Sequence, residues 1–318
     1  MARMPHPTTR RSVLAAGLSA SVLSLLSRLA ATADATSSGT RLVLLGTAGG
    51  PRPRKSRSAS AHAIAVGGAI YIVDCGDGVA RQMVLAGLPL DAIRGVFLTH
   101  HHSDHNADYG NLLLLAWSGG LRTPVDTFGP PPIEKMTRLF FEMNATDIDA
   151  RIADEGRPPL IPLVRAHDLG KPGKVFEDER VKVSAALVEH PPMSPAFAYR
   201  FDTADRSIVI SGDTKYSQNL IELAKGADVL VHEALFPEAL NRLIKNVRNA
   251  PDLKRSILSH HTSAEDVGRV AAEAGVGLLV LSHLIPAEDP EVTEAMWLDA
   301  VARHFKGKVL VGADLAVI

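Results

Sequence analysis

Residues 94–105 read RGVFLTHHHSDH, an apolar strand that gives way to four metal-competent side chains within six positions. His100, His102, Asp104 and His105 fit the spacing H-x-H-x-D-H. Ligands on a short loop at a strand end can converge on one point while the strand fixes their backbone. Imidazole and carboxylate together suit zinc and other borderline divalent ions. His100 and His102 could share one ion while Asp104 and His105 turn toward another, but spacing alone does not set the number of ions. A surface histidine cluster is the bland alternative, and four such residues at a strand end argue against it. His101 interrupts the pattern and reads as a packing or solvent-facing histidine.

Working outward, three later positions stand where strand hydrophobicity gives out. His190 ends VSAALVEH, Asp213 lies in VISGDT, and His283 lies in LLVLSHL. In α/β folds such strand ends gather into the functional rim. RLVLLG from Arg41 is a strand running into a glycine turn, and residues 60–78 hold two apolar strands joined near Gly67 and Gly68. Residues 79–87, NLLLLAWSGG and IEKMTRLFFEMNA read as helices, and VDTFGP as a strand. After Pro158 come short strands with hairpin-like turns, then the helix NLIELAKGA and the strand ADVLVHEAL. SAEDVGRVAAEAG is a helix opened by Ser263, with Glu265 and Asp266 in its first turn. VGLLVLSHL, EVTEAMWLDAVARHF and GKVLVGADL close the chain as strand, helix and strand. Two runs of hairpins, each followed by strand–helix units, predict an α/β fold built as an αββα sandwich: two mixed sheets with helices on the outer faces.

Composition sets outer bounds. Hydrophobic residues make up 46% of the 318 and charged residues 22%, which suits a packed globular chain. The formal charge is -1, with no long basic run, so nothing global asks for a nucleic acid. Cys75 is the single cysteine, which excludes a disulfide within the chain and a cysteine-rich zinc knot. Residues 1–35 read as a targeting segment. Arg10 and Arg11 form a twin arginine, an apolar stretch runs from Val13 to Leu29, and Ala33 and Ala35 suit a signal peptidase. Arg28 interrupts the apolar stretch, so no stable membrane span is expected. The segment predicts export to the periplasm or beyond by the twin-arginine route, leaving residues 36–318 as the folded domain.

These residues resemble the metallo-β-lactamase superfamily, and within it the ribonuclease Z-like branch, which includes some arylsulfatases and phosphodiesterases. The matching pieces are LGTAGG at 45–50, DCGDGVARQ at 74–82, THHHSDH at 99–105, VEHPP at 188–192, SGDT at 211–214, HEALF at 232–236, HHTSAEDVGRVAAEAG at 260–275 and LVLSH at 279–283. The resemblance implies one metal held by His100, His102 and His190, and a second held by Asp104, His105 and His283. Asp213 and a hydroxide would bridge the pair, and Asp104 would help to orient that hydroxide. Asp74 resembles the family's acid that orients ligand histidines. His261 and Glu233 match a histidine linked to protonating the reacting phosphate and the glutamate that orients it. The family also implies two divalent cations, with Zn2+ expected and Mn2+ or Fe2+ accepted by the same donors, and many of its members form homodimers.

The resemblance suggests hydrolysis of a small anionic ester, with phosphodiesters first and aryl sulfates second. Lactones and β-lactams share the carbonyl chemistry, and a non-catalytic metal-binding protein is the alternative of a different class. Family members that process RNA carry a long arm between the third histidine ligand and the bridging aspartate, whereas His190 and Asp213 are 23 positions apart. On that ground no nucleic acid is expected as partner. Arg200, Lys215 and the basic loop at 52–57 are candidates to attract the anion, and Trp117, Phe197 and Tyr199 are candidates to line an aryl pocket.

Overall fold

The computed structural model describes residues 39–245, 247 and 249–318; the targeting segment at residues 1–35 lies outside them. The chain builds a first sheet from β1 (Arg41–Gly46), β2 (Ala61–Val66), β3 (Ala69–Val73), β4 (Ile93–Phe97), β5 (Val125–Gly129) and β6 (Val164–Asp168), in that spatial order. The second sheet runs β13-β12-β11-β10-β9-β8-β7. Its members are β7 (Gly173–Glu177), β8 (Val181–His190), β9 (Met193–Thr203), β10 (Ser207–Ile210), β11 (Val229–Leu235), β12 (Leu278–Ile285) and β13 (Lys308–Val311). Each sheet opens with antiparallel hairpins and ends in parallel pairs, so both are mixed.

The parallel crossovers carry the helices. In the first half these are α1 (Val79–Leu85), α2 (Ser103–Asn106), α3 (Tyr109–Ser118), α4 (Ile133–Met143) and α5 (Ala145–Glu155). In the second half they are α6 (Gln218–Ala224), α7 (Leu240–Lys245), α8 (Leu253–His260), α9 (Ala264–Ala274) and α10 (Glu294–Val301). Ser263 caps α9 by accepting the Asp266 N–H at 3.1 Å, as its place before two acids predicts. The structure adds α5, α8 and β6, which carry too few apolar residues to stand out in the sequence: Ile148 alone is buried in α5, and no residue of α8 is. No helix among the described residues is long and apolar enough to cross a membrane.

Three apolar layers hold the four tiers together. Leu45, Ile72, Met83, Leu113 and Trp117 pack the first sheet against α1 and α3. Leu230, Leu279, Val267 and Trp297 do the same for the second sheet with α9 and α10. Between the sheets lies an aromatic layer. Phe97 stacks on Phe128 at 5.3 Å and meets Phe201 edge-on at 5.2 Å and Tyr199 at 5.6 Å. Strand alternation sends Phe97 into this layer, so β4 is anchored immediately before its metal-competent loop. The arrangement is the αββα sandwich with two mixed sheets.

Candidate metal centre

The strand ends of both sheets meet at one edge. β4 stops at Phe97, earlier than the hydrophobic pattern alone suggests, and Leu98 and Thr99 carry the chain to His100. The Phe197 N–H donates to the Thr99 carbonyl at 2.9 Å and ties this loop to the second sheet. Asp213 follows β10 after Gly212, whose φ of +59° turns the chain sharply. His283 lies inside β12. There the pairing passes from Glu233–Ser282 to Ala234–Leu284 and leaves His283 as the extra residue of a bulge, with φ +42°. A positive φ at a histidine is uncommon, and bulges re-aim side chains beside functional sites.

Two groups of ligand atoms result, each with its atoms within 4.8 Å of one another: His100, His102, His190 and Asp213, and Asp104, His105, His283 and Asp213. Asp213 belongs to both. All of these side chains are buried except the half-buried His102. In the first group, His102 Nδ1 lies 3.0 Å from His100 Nε2 and 3.1 Å from His190 Nε2. In the second, His283 Nε2 lies 3.2 Å from Asp104 Oδ2 and 3.3 Å from Asp213 Oδ2, and His105 Nε2 lies 3.3 Å from Asp213 Oδ1.

The donors fit divalent cations. His105 Nε2 and Asp213 Oδ1 are buried with no hydrogen-bond partner among the described residues, an arrangement that costs about 1–3 kcal/mol per group unless something else satisfies it. Ligands about 2.0–2.1 Å from a tetrahedral zinc stand about 3.3 Å apart, close to the spacings here. Charge points the same way. Burial works against an imidazolium at His105, yet Asp213, Asp74 and Asp104 raise its pKa well above the ordinary value. Burial leaves His190 neutral instead, lowered to about 4. Three buried carboxylates, close enough to hold a proton on His105, make a cation-seeking pocket beside the neutral His190.

An outer ring of hydrogen bonds aims the rings. Asp74, itself at φ +62°, accepts the His105 Nδ1–H at 2.7 Å and the Thr99 N–H at 2.8 Å. Thr99 Oγ1 contacts the same carboxylate at 3.0 Å and His100 Nδ1 at 3.0 Å. One aspartate thereby orients an imidazole in each group, directly for His105 and through Thr99 for His100. The His260 carbonyl accepts from His190 Nδ1 at 3.0 Å, and the Gly50 N–H donates to Asp104 Oδ2 at 2.9 Å. Sequence reasoning missed Thr99, the His260 main chain and Gly50. Thr99 could have been noticed as a short hydroxyl adjoining the first histidine, whereas main-chain partners leave no signal in residue type.

His261 stacks on His283 at 5.6 Å, and its Nδ1 lies 3.0 Å from Glu233 Oε2 and 3.9 Å from Asp213 Oδ2. Burial disfavours charge on His261, but Glu233, then Asp213 and Asp104, outweigh it and raise the imidazole to about 9. Glu233 Oε1 also accepts the Thr214 N–H at 2.9 Å, which holds the carboxylate in place.

Other candidates lie elsewhere. Arg200 is committed to Asp202 and to the carbonyls of Leu223 and Lys225. Arg57 is tied to Thr47 and the Gly312 carbonyl. Trp117 is buried on the outer face of the first sheet, and Phe197 and Tyr199 fill the layer between the sheets, so none of the three lines an aryl pocket. Cys75 is a buried packing residue. His101 is half-buried and bonded to the Pro130 carbonyl at 2.7 Å.

An αββα sandwich with two imidazole–carboxylate clusters sharing one aspartate at its strand-end edge defines a metal-dependent hydrolase with a candidate dinuclear centre. The family model described as "Beta-lactamase superfamily domain" matches residues 70–284. Over 277 residues the chain is 34% identical to a ribonuclease Z from Mycobacterium sp. strain KMS, covering 86% of this chain and 94% of that protein. It is 30% identical to a ribonuclease Z from Mycobacterium bovis strain BCG Pasteur, covering 86% and 96%. The chain belongs to the metallo-β-lactamase superfamily, alongside ribonuclease Z. Among solved structures, the metallo-beta-lactamase fold protein YhfI from Bacillus subtilis superposes with a TM-score of 0.66 at 21% identity, covering 88% of this chain and 98% of that one. The short form of human tRNase Z gives 0.62 at 21%, covering 87% and 98%. At these identities the two structures speak for the fold.

The comparisons correct one expectation. From the short span between His190 and Asp213 no nucleic-acid partner is expected, yet relatives named for ribonuclease activity align over 94–96% of their own length. The first of these alignments runs over 277 residues while covering 86% of this chain, which leaves little space for a long insertion in that relative, so the short span does not set this chain apart. The near-neutral charge is equally uninformative, because net charge says nothing of how charge is distributed around a site.

Proposed function

We propose that the chain hydrolyses phosphodiester bonds, those of a nucleic-acid strand included. The observation that carries this reading is the His261–Glu233 pair, which puts a held proton beside the shared aspartate of the two clusters. The names of the mycobacterial relatives support the same bond class.

His100, His102 and His190 would hold one cation, Asp104, His105 and His283 the other, and Asp213 both. Bound there, two divalent cations would supply Lewis acidity, activating water at neutral pH and offsetting charge on the phosphoryl group. The chain's own side chains do the rest. Glu233 accepts from His261 Nδ1, so His261 presents its Nε2–H to the mouth of the site as donor to a phosphoryl or leaving-group oxygen. Asp213 and Asp104 would serve the cations, and Glu233, 3.0 Å from His261 Nδ1, is the group placed to retain that proton. Asp104, steadied by the Gly50 N–H, orients the attacking water.

The test is a parallel assay of metal-loaded protein on bis(p-nitrophenyl) phosphate, an RNA with a 3′ extension, p-nitrophenyl sulfate, a lactone and a β-lactam. Turnover of the diesters at least tenfold above the rest is expected. Preference for the sulfate or a carbonyl substrate overturns the reading. The same preparation tests zinc as the native ion, with two equivalents per chain expected by elemental analysis. Export belongs to this proposal as well: replacing Arg10 and Arg11 by lysine is expected to remove activity from the periplasmic fraction, and unchanged periplasmic activity would refute it.

A further inference from the structure

The carboxylate of Asp314, outside both ligand clusters, gathers four donors. Its Oδ1 accepts the Thr47 N–H at 3.0 Å and the Thr47 hydroxyl at 2.7 Å. Its Oδ2 accepts the Ser58 N–H at 2.5 Å and the Gln82 side-chain amide at 3.2 Å. Thr47 and Ser58 are the two feet of the loop that joins β1 to β2. Arg57 adds a second tie, donating to Thr47 Oγ1 at 2.5 Å and to the Gly312 carbonyl at 2.7 Å. Asp314 follows β13 of the second sheet by three positions, and the N–H of the next residue, Leu315, donates to the Leu44 carbonyl of β1 at 2.7 Å. The carboxylate thus sits where the chain crosses from the second sheet to the first.

The pinned loop reaches the metal centre on one side. The Gly50 N–H donates to Asp104 Oδ2 at 2.9 Å. The Thr47 carbonyl accepts the Leu284 N–H at 2.9 Å, and the Gly49 N–H donates to the Leu284 carbonyl at 3.2 Å, so the loop brackets the residue that follows the bulge. Gly49 packs so close that a Cβ on it would stand 2.9 Å from His283 Nδ1. Asp104 and His283 both belong to the second group of ligand atoms. The partners of His100 and His190 are Thr99 and the His260 carbonyl, neither of them in this loop.

We propose that Asp314 is a positioning residue for the second metal ion: it fixes both feet of the 47–58 loop, and through Gly50 and Gly49 that loop holds Asp104 and His283 in place for the cation. The inference rests on the two-cluster centre and not on which bond is cleaved. Its physical basis is conformational entropy. A hydrogen bond from Gly50 to Asp104 contributes little if its flexible donor must first be ordered, and pinning both ends of the loop removes most of that cost beforehand. Asp314 therefore acts on one ion, whereas Asp74 reaches an imidazole in each group.

The experiment titrates zinc into the metal-free full chain against a competing chelator and reads amide hydrogen exchange at Gly49 and Gly50 in the same metal-free preparation. Asp314→Ala is expected to weaken one of two zinc-binding steps about 10–100-fold and to leave the other within about twofold. Anomalous scattering from crystals equilibrated at a zinc concentration between the two steps is expected to place the remaining ion at His100, His102 and His190. Exchange at Gly49 and Gly50 is expected to quicken roughly tenfold or more, and by more than at the core amides of β11 and β12. Asp314→Asn keeps the size and one acceptor oxygen; an intermediate loss at the same ion is expected, and this variant decides the matter should the alanine variant fail to fold. Equal loss at both ions, unchanged affinities, or a uniform quickening of exchange across the fold overturns the proposal. If the unmodified protein binds fewer than two ions, the dinuclear reading fails and the exchange measurement stands alone: unchanged protection at Gly50 overturns the role of Asp314, and selective quickening there upholds it.

Discussion

Asp74 reaches an imidazole in each cluster, so its charge and geometry matter to both ions. Asp74→Asn keeps the size but loses an acceptor for the His105 Nδ1–H. Affinity for both metals is expected to fall about 10–100-fold, read by titration against a competing chelator; loss at one site alone would break the link through Thr99. His261 predicts the opposite split. His261→Ala is expected to retain two metals and lose roughly 10²–10⁴-fold in kcat. Full metal content with unchanged turnover removes it from the reaction. His232 adds a prediction about acid. Its Nδ1 contacts the Glu233 carbonyl oxygen at 2.7 Å, its Nε2 is buried without a partner, and burial lowers its pKa to about 4. The unfolded chain takes a proton there near 6.5 and the folded chain only near 4. Stability is therefore lost as pH falls between those values, and the loss is complete below about 4. Urea titrations from pH 7 to 4 are expected to show that decline, shallower in His232→Gln; equal slopes would exclude His232 as a cause.

At the scale of the element, the centre depends on strand ends that turn abruptly. Gly212 is the clearest case. A Cβ there would meet the Phe197 carbonyl oxygen and Thr99 Cβ at 2.8 Å, at a φ of +59°. Gly212→Ala is expected to destabilise by at least about 1–2 kcal/mol from the left-handed conformation alone, and to displace Asp213 so that metal content falls too. A normal unfolding midpoint with two metals bound would contradict both expectations. The strands and helices were legible where periodicity was strong: β1 to β5, α3, α4, α9 and β12 follow from apolar patterning. The edge strand β6 and helix α8 were not, because β6 exposes three of its five residues and α8 buries none. The bulge at His283 was hidden as well, since a register shift depends on the partner strand and leaves no mark on residue type.

At the scale of the whole molecule, the two sheets must keep a fixed spacing for ligands from both to share Asp213. Phe97 fills that interface with four aromatic neighbours, Phe128, Phe176, Tyr199 and Phe201. Phe97→Ala is expected to cost about 3–5 kcal/mol and to weaken metal retention with it. Thermal unfolding with and without added zinc reads both effects, and a loss below 1 kcal/mol would show that the interface is not what holds the centre. The sequence by itself determined the sandwich class and the metal-competent residues, because hydrophobic period and ligand chemistry are local properties. It could also place His190 and Asp213 at strand ends, whereas His283, expected at one, sits in a bulge within β12. Only the tertiary structure decided that these ends meet, that Asp213 serves both clusters, that Asp74 reaches two imidazoles, and that Arg200 and Trp117 lie away from the site. Those are distances between residues far apart in the chain, set by how two sheets pack face to face.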